Sequence, residues 1–196
     1  MTRIIAGAAG GRRLRTPSGS RTRPTSDRVR EALFSAIEAW CGSFDGLRVL
    51  DLYAGSGAVG LEAWSRGAAA VTLVEHDKRT AGLVRDNARE LGCRVADVRT
   101  ATVRQTLAEP PPADGPFDVV YADPPYPLGE EGLAADLALL PAWLAPEPLV
   151  VVERSVRSPE PTWPAGLVPH RSKKYGETVL WYCSTPDDPD QQETRP

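Results

Sequence analysis

The residues with the most evident chemistry are Asp123-Pro124-Pro125-Tyr126, which directly follow the apolar run Phe117-Asp118-Val119-Val120-Tyr121-Ala122. Proline has no N–H and fixes φ, so two prolines after a buried strand leave backbone carbonyls unpaired and facing outward. An exocyclic amine on a nucleobase is a poor nucleophile because its lone pair is delocalised into the ring. The Asp123 carboxylate and the Pro124 carbonyl, each accepting one amine proton, would bend that nitrogen toward tetrahedral and aim its lone pair outward. Tyr126 would stack on the flat ring. The plain alternative is a Pro-rich turn that closes a strand.

A second constellation lies upstream, in Asp51-Leu52-Tyr53-Ala54-Gly55-Ser56-Gly57-Ala58-Val59-Gly60. Gly55, Gly57 and Gly60 satisfy G-x-G-x-x-G, and Glu75 closes the next apolar run. Glycines let a backbone turn sharply and approach a ligand, and an acid at the second strand end accepts hydrogen bonds from ribose hydroxyls. By itself the pattern fits NAD, FAD or S-adenosylmethionine, or a tight turn with no ligand. Asp51 tilts the choice. A pyrophosphate resting on the loop would be repelled by a carboxylate just before the glycines. S-adenosylmethionine carries a sulfonium and an ammonium instead, which a carboxylate favours.

The elements that must hold these residues follow from the apolar spacing. Residues 26–40 place Val29, Leu33, Ile37 and Trp40 on one helical face, with Thr25 or Ser26 as N-cap. Strands are expected at 47–50, ending at Asp51, and at 70–74, ending at Glu75. A charged helix from Lys78 to Leu91 is stopped by Gly92. Two further strands, 94–98 and 117–122, are separated by a short helix and the breaker Pro110-Pro111-Pro112. Residues 149–152 and 178–182 read as the last two strands. Runs apolar on both faces, alternating with helices, predict a doubly wound, Rossmann-like parallel sheet covered on both sides. Ligands of such a sheet lie beyond the carboxyl ends of its strands, where the constellations above fall.

The 196 residues suit one domain with a short appendage, and 41% hydrophobic residues with mean hydropathy −0.30 allow a real core. No apolar run approaches a membrane span and no signal-peptide h-region opens the chain, so a cytoplasmic protein without a membrane is expected. Cys41, Cys93 and Cys183 read as buried thiols, and with only His76 and His170 no metal site is expected. The first 30 residues hold eight arginines against Asp27, net +7, and the remaining 166 sum to −10. A basic arm on an acidic body points to a polyanionic partner met by Arg12, Arg13, Arg15, Arg21, Arg23, Arg28 and Arg30. A solvated tail is the alternative. Residues 1–22 are read as the basic extension, 23–183 as the main domain and 184–196 as a disordered tail. Lys173-Lys174-Tyr175 reads as a solvated turn or a phosphate contact, and Trp143 and Trp163 as caps on the core.

Together the motifs resemble S-adenosylmethionine-dependent amino-methyltransferases, and more narrowly the RsmD family. The blocks that carry the narrower likeness are Arg23 through Phe34, Asp51 through Gly57, and Lys174-Tyr175-Gly176-Glu177-Thr178. The resemblance implies a seven-stranded methyltransferase sheet with its last strand antiparallel and a small N-terminal hairpin. It implies methylation of the N2 amine of one guanine in 16S ribosomal RNA, of the guanine-966 type, within a small subunit or its assembly intermediate, by a monomer. Asp123, Pro124 and Tyr126 would be catalytic. Asp51, Tyr53, Gly55, Ser56, Gly57, Glu75, His76 and Asp123 would line the cofactor, although His76 also reads as a solvent-side loop residue. The adenine reader is left open between Asp97 and residues 100–102. Adenine-N6 or protein-glutamine amino-methyl transfer, an NAD-binding enzyme and a silent RNA-binding module are the competing expectations.

Overall fold

The computed structural model describes residues 2–17 and 27–186. Its centre is a seven-stranded sheet of β3 (Arg48–Leu52), β4 (Ala70–Val74), β5 (Ala96–Arg99), β6 (Phe117–Ala122), β7 (Leu144–Ser155), β8 (Val168–Tyr175) and β9 (Thr178–Ser184), in the spatial order β5-β4-β3-β6-β7-β9-β8. The first five of these in space are parallel, and β9 runs antiparallel between β7 and β8. The order reverses between β3 and β6, which makes their carboxyl ends the switch point of the fold.

Successive strand residues feed two separate cores, which is why the strands read as continuously apolar. Val49, Val71, Val119, Val151 and Leu180 pack beneath α1 (Asp27–Cys41), α2 (Ala58–Ser65) and α3 (Lys78–Leu91). Leu50, Leu52, Val74, Val120 and Val150 pack on the other face against α4 (Val103–Leu107) and α5 (Gly129–Leu137). Local signals set α3 as expected: the Asp77 side chain caps its first turn through the Thr80 N–H, and Gly92 takes a left-handed C-cap.

Residues 2–17 form a docked hairpin rather than a solvated tail. Strands β1 (Thr2–Arg3) and β2 (Arg13–Leu14) pair antiparallel, and Ile4, Ala9 and Leu14 enter the first core. The buried Glu62 carboxylate of α2 accepts the N–H groups of Ile5 (2.6 Å) and Ala6 (2.9 Å). The Ser65 hydroxyl accepts from the Ala9 N–H (2.9 Å) and donates to the Ala6 carbonyl (2.6 Å).

Several boundaries depart from the sequence expectation. Strand β3 runs through Asp51 to Leu52, β5 lies two residues later than the expected start, and β7 extends on both sides of 149–152. Strand β8 was not expected at all: seven of its eight residues are exposed, so no apolar alternation marks it. Trp40 leaves the apolar face of α1 and stacks on His170 instead, 42% exposed. Cys41 is half-buried, while Cys93 and Cys183 are buried. Trp143 is buried as expected, and Trp163 packs partly buried on the second core. The N-cap expected at Thr25 or Ser26 and most of the expected tail, residues 187–196, lie outside the described residues. No helix among the described residues is long and apolar enough to cross a membrane.

Candidate active site

In sheet order, the ends of β4, β3, β6 and β7 present Glu75, Asp51, Asp123 and Glu153. Asp51 is 2% exposed, and its Oδ2 accepts the Gly60 N–H at 2.8 Å, pinning the first turn of α2 to the strand. Burial pushes the Asp51 carboxyl up to about 7; the Gly60 N–H pulls it back and the nearby Glu75 charge adds to the rise.

The turn between β3 and α2 is built from residues with positive φ: Tyr53 (63°), Gly55 (55°) and Gly57 (78°). Its glycines serve different ends. A Cβ on Gly57 would lie 2.9 Å from Val84 Cγ1, and one on Gly60 2.7 Å from Leu73 Cδ2, so these two permit close packing of α2. A Cβ on Gly55 would meet only the Tyr53 carbonyl at 4.0 Å, which leaves its open side accessible to a ligand. Glu75 ties the turn to the end of β4: Oε2 accepts the Gly55 N–H (3.0 Å) and Oε1 the Asp77 N–H (2.8 Å). The Ser56 carbonyl accepts from Asn87 of α3 (3.0 Å). The donor set fits a cationic, phosphate-free cofactor, because buried carboxylates flank an open glycine turn.

Asp123 is half-buried at the end of β6. Burial, then the charges of Glu153 and Asp51, hold its carboxyl well above the usual range, with Arg154 opposing. Pro124 is buried, and its carbonyl accepts no hydrogen bond among the described residues. The Pro125 carbonyl, by contrast, accepts the Leu128 N–H (3.0 Å) in the turn Tyr126–Leu128, so only one of the two proline carbonyls stays open. Tyr126 stands 81% exposed beside them. Beneath, the Tyr121 hydroxyl donates to the Glu153 carboxylate, and Arg154 pairs with Glu130 of α5.

A family model described as conserved hypothetical protein 95 matches residues 2–184. Ribosomal RNA small subunit methyltransferase D of Escherichia coli K12 is 38% identical over 182 residues, covering 90% of this chain and 86% of the relative. The chain belongs to the RsmD family. The same-named protein of Haemophilus influenzae is 36% identical, covering 80% of each chain. The solved structure of yhhF from Escherichia coli superposes with a TM-score of 0.82 at 34% identity, covering 95% of this chain and 99% of that one. Magnesium protoporphyrin IX methyltransferase from Synechocystis, with bound SAH, shares the fold at 13% identity and a TM-score of 0.61, covering 81% of this chain and 82% of that one. As a member of the RsmD family the chain is a methyltransferase of an S-adenosylmethionine-dependent family.

Within this RsmD fold, Asp51, Gly55, Ser56, Gly57, Glu75, Asp123, Pro124 and Tyr126 gather at the switch point. Tyr53 turns away: its hydroxyl donates to Asp136 of α5 (2.7 Å), which also accepts from Arg104 (2.9 Å). His76 is exposed, with Nδ1 3.2 Å from the Glu75 carboxylate. Asp97 pairs with Arg99 (2.9 Å), Thr100 accepts from Arg85 (2.8 Å), and Thr102 caps α4 in a box with Gln105. All three adenine candidates therefore have protein partners.

The basic-arm expectation needs correction. Arg30 is 1% exposed and donates to Asp27 (2.7 Å) and to the Arg3 carbonyl (2.7 Å), so it anchors the hairpin and offers nothing to a polyanion. Arg12 donates to the Glu90 carbonyl (2.6 Å) and Arg15 pairs with the Glu90 carboxylate. Arg13 and Arg28 are exposed, and Arg21 and Arg23 lie outside the described residues. The sequence reasoning missed Glu153. It directly follows the apolar run 149–152, the same signal that marks Asp51 and Glu75 as strand-end acids.

Proposed function

We propose that this chain transfers a methyl group from S-adenosylmethionine to the exocyclic N2 amine of a guanine in 16S ribosomal RNA, of the guanine-966 type, in a small subunit or its assembly intermediate. The observation that carries this is the acceptor triad beside the cofactor floor: the half-buried Asp123 carboxylate, the open Pro124 carbonyl and the exposed Tyr126 ring. The names of the Escherichia coli and Haemophilus influenzae relatives support ribosomal RNA as the substrate class.

S-adenosylmethionine supplies an electrophilic methyl group on a sulfonium. Asp51 and Glu75 offer negative charge and hydrogen-bond acceptance on the cofactor side. Asp123 and the Pro124 carbonyl accept hydrogen bonds from the two amine N–H groups and aim the nitrogen lone pair. Tyr126 stacks on a base drawn out of its strand, which is easiest in a loop or an open strand. The protein's contribution is chiefly positioning, worth roughly 7–11 kcal/mol of barrier in favourable cases. The amine proton left after transfer passes first to Asp123, whose carboxyl, through burial and the Glu153 and Asp51 charges, is a better proton acceptor than an ordinary carboxylate.

The test is methyl transfer to small-subunit RNA with isotopically labelled cofactor, followed by digestion to nucleosides and mass analysis. Labelled N2-methylguanosine is the expected product. Label in N6-methyladenosine or in protein glutamine would overturn the acceptor assignment and leave the cofactor chemistry intact.

A further inference from the structure

The edge strand β8 carries Arg171, Lys173 and Lys174 and no acid, on a body whose residues 31–196 sum to −10. All three side chains are exposed, and the outer edge of β8 pairs with no strand among the described residues. The strip leads toward the acceptor half of the site. Lys174 is level with Val179 of β9, which is level with Arg154 of β7, the residue after Glu153. Farther down β8, Trp40 of α1 stacks on His170, with ring centroids 4.8 Å apart and planes 16° apart. This pair borders a recess of about 250 Å³ lined also by Ala36, Leu149, Arg171 and Tyr182. Tyr182 is almost wholly buried, and the Arg171 guanidinium lies 4.5 Å from the centre of its ring.

The strand-end acids repel phosphate, so an RNA backbone whose base enters the site must be held away from them. Arg12 and Arg15 of the hairpin segment are engaged with Glu90, and Arg30 of α1 with Asp27 and the Arg3 carbonyl, which leaves Arg13 and Arg28 exposed. Strand β8, by contrast, carries Arg171 and Lys173 on the face of the sheet that bears Trp40, and Lys174 on the opposite face of the same open edge, so cations flank that edge beside an aromatic pair. Single-stranded nucleic acid is recognised through such a combination of phosphate contacts and base stacking. We propose that β8 holds a single-stranded segment of the substrate RNA, with phosphates on Arg171, Lys173 and Lys174. One unstacked base lies against the Trp40–His170 pair at the recess. The inference rests on RNA as the substrate and assigns the surface that carries the strand to the site.

The decisive variant is Arg171→Glu/Lys173→Glu/Lys174→Glu, with Lys174→Glu alone and Trp40→Ala beside it. RNA affinity is measured by equilibrium binding across a salt series, separately from kcat and KM for methyl transfer and from cofactor affinity. The triple variant should raise the RNA Kd and KM tenfold or more, with cofactor affinity and kcat at saturating RNA unchanged. The slope of log affinity against log salt should flatten by about 0.7 for each single-strand phosphate deprived of its cation. Lys174→Glu should show the same pattern for one phosphate. Trp40→Ala should weaken binding without altering the slope. Unchanged RNA affinity and slope in both charge variants would overturn the assignment of β8, as would an acidic protein partner whose binding, in place of RNA binding, is abolished. A wild-type enzyme that transfers methyl groups to no RNA would overturn the substrate reading instead.

Discussion

At the ends of β3 and β4, Asp51 is bound by the Gly60 N–H, Glu75 holds the Gly55 and Asp77 N–H groups, and Gly57 and Gly60 leave no room for a Cβ. At the end of β6 and out toward β8, Asp123 is half-buried, the Pro124 carbonyl is open, Tyr126 is exposed and the cations face solvent. The first region is organised before anything binds. The second offers groups whose partners must arrive with the substrate. A small cofactor has few atoms with which to offset the cost of ordering a site, so a pre-formed half suits the cofactor role proposed for it. A large RNA brings extended surface and tolerates an open, polar, cationic approach.

The sharpest way to break this contrast is Asp123→Ala. Methyl transfer should fall on the order of 10²–10³-fold, the scale seen when one positioned transition-state hydrogen-bonding group is removed. Cofactor affinity measured by calorimetry should stay within about twofold. Asp123→Asn should retain part of the activity, because the amide oxygen still accepts. Loss of cofactor binding, with turnover per bound complex intact, would place Asp123 in the other half.

Gly60→Ala probes the pre-formed half through packing. With Leu73 Cδ2 at 2.7 Å from the new methyl, thermal denaturation should show a loss of roughly 1–3 kcal/mol. Gly55→Ala meets no such neighbour and should act mainly through its positive φ and on cofactor affinity. Equal destabilisation by both changes would remove the distinction between the two glycines.

Glu75→Ala should weaken S-adenosylmethionine binding about tenfold or somewhat more, the loss expected for charge-assisted hydrogen bonds of ~1.5–3 kcal/mol. RNA affinity of the cofactor-free enzyme should not move, which calorimetry and RNA binding together decide.

The smallest effect concerns pH. Below about 7 the free enzyme holds Asp51 protonated, whereas a cationic cofactor favours the carboxylate. Cofactor affinity should therefore rise by a few-fold as pH increases from ~5.5 toward 7, then level off. The raised pKa also means that Asp51 costs stability as pH climbs from the ordinary carboxylate range through 7. Asp51→Asn, which can still accept from the Gly60 N–H, should flatten both dependences. A wild-type affinity independent of pH would show that Asp51 stays neutral in the complex.

Strands β3, β4 and β6 and their terminal acids were legible in the sequence because each strand is buried on both faces. A continuous apolar run ending in Asp51, Glu75 or Ala122-Asp123 then needs no partner to be recognised. Helix α3 was legible because its charged stretch ends on a local stop signal, Gly92, while the Asp77 cap at its start was not read. Strand β8 was not, since an edge strand exposed along its length has no hydrophobic period to read. Glu153 carried the same strand-end signal as Asp51, yet its proximity to Asp123 exists only because β6 and β7 are neighbours in the sheet.

Side-chain chemistry and local pattern alone thus determined the α/β class, the glycine turn after β3 and the Asp-Pro-Pro-Tyr segment after β6, because those depend on residues close together in the chain. Which arginines are already engaged within the protein was decided by tertiary structure. Arg15 meets Glu90 from 75 residues away and Arg30 meets the Arg3 carbonyl across 27, and such pairings arise only when the hairpin docks. The same packing turns Tyr53 toward Asp136, 83 residues on, and brings Trp40 onto His170 beside an edge of cations. Charge counted along a sequence gives the total, but long-range pairings determine which charges are already engaged within the protein.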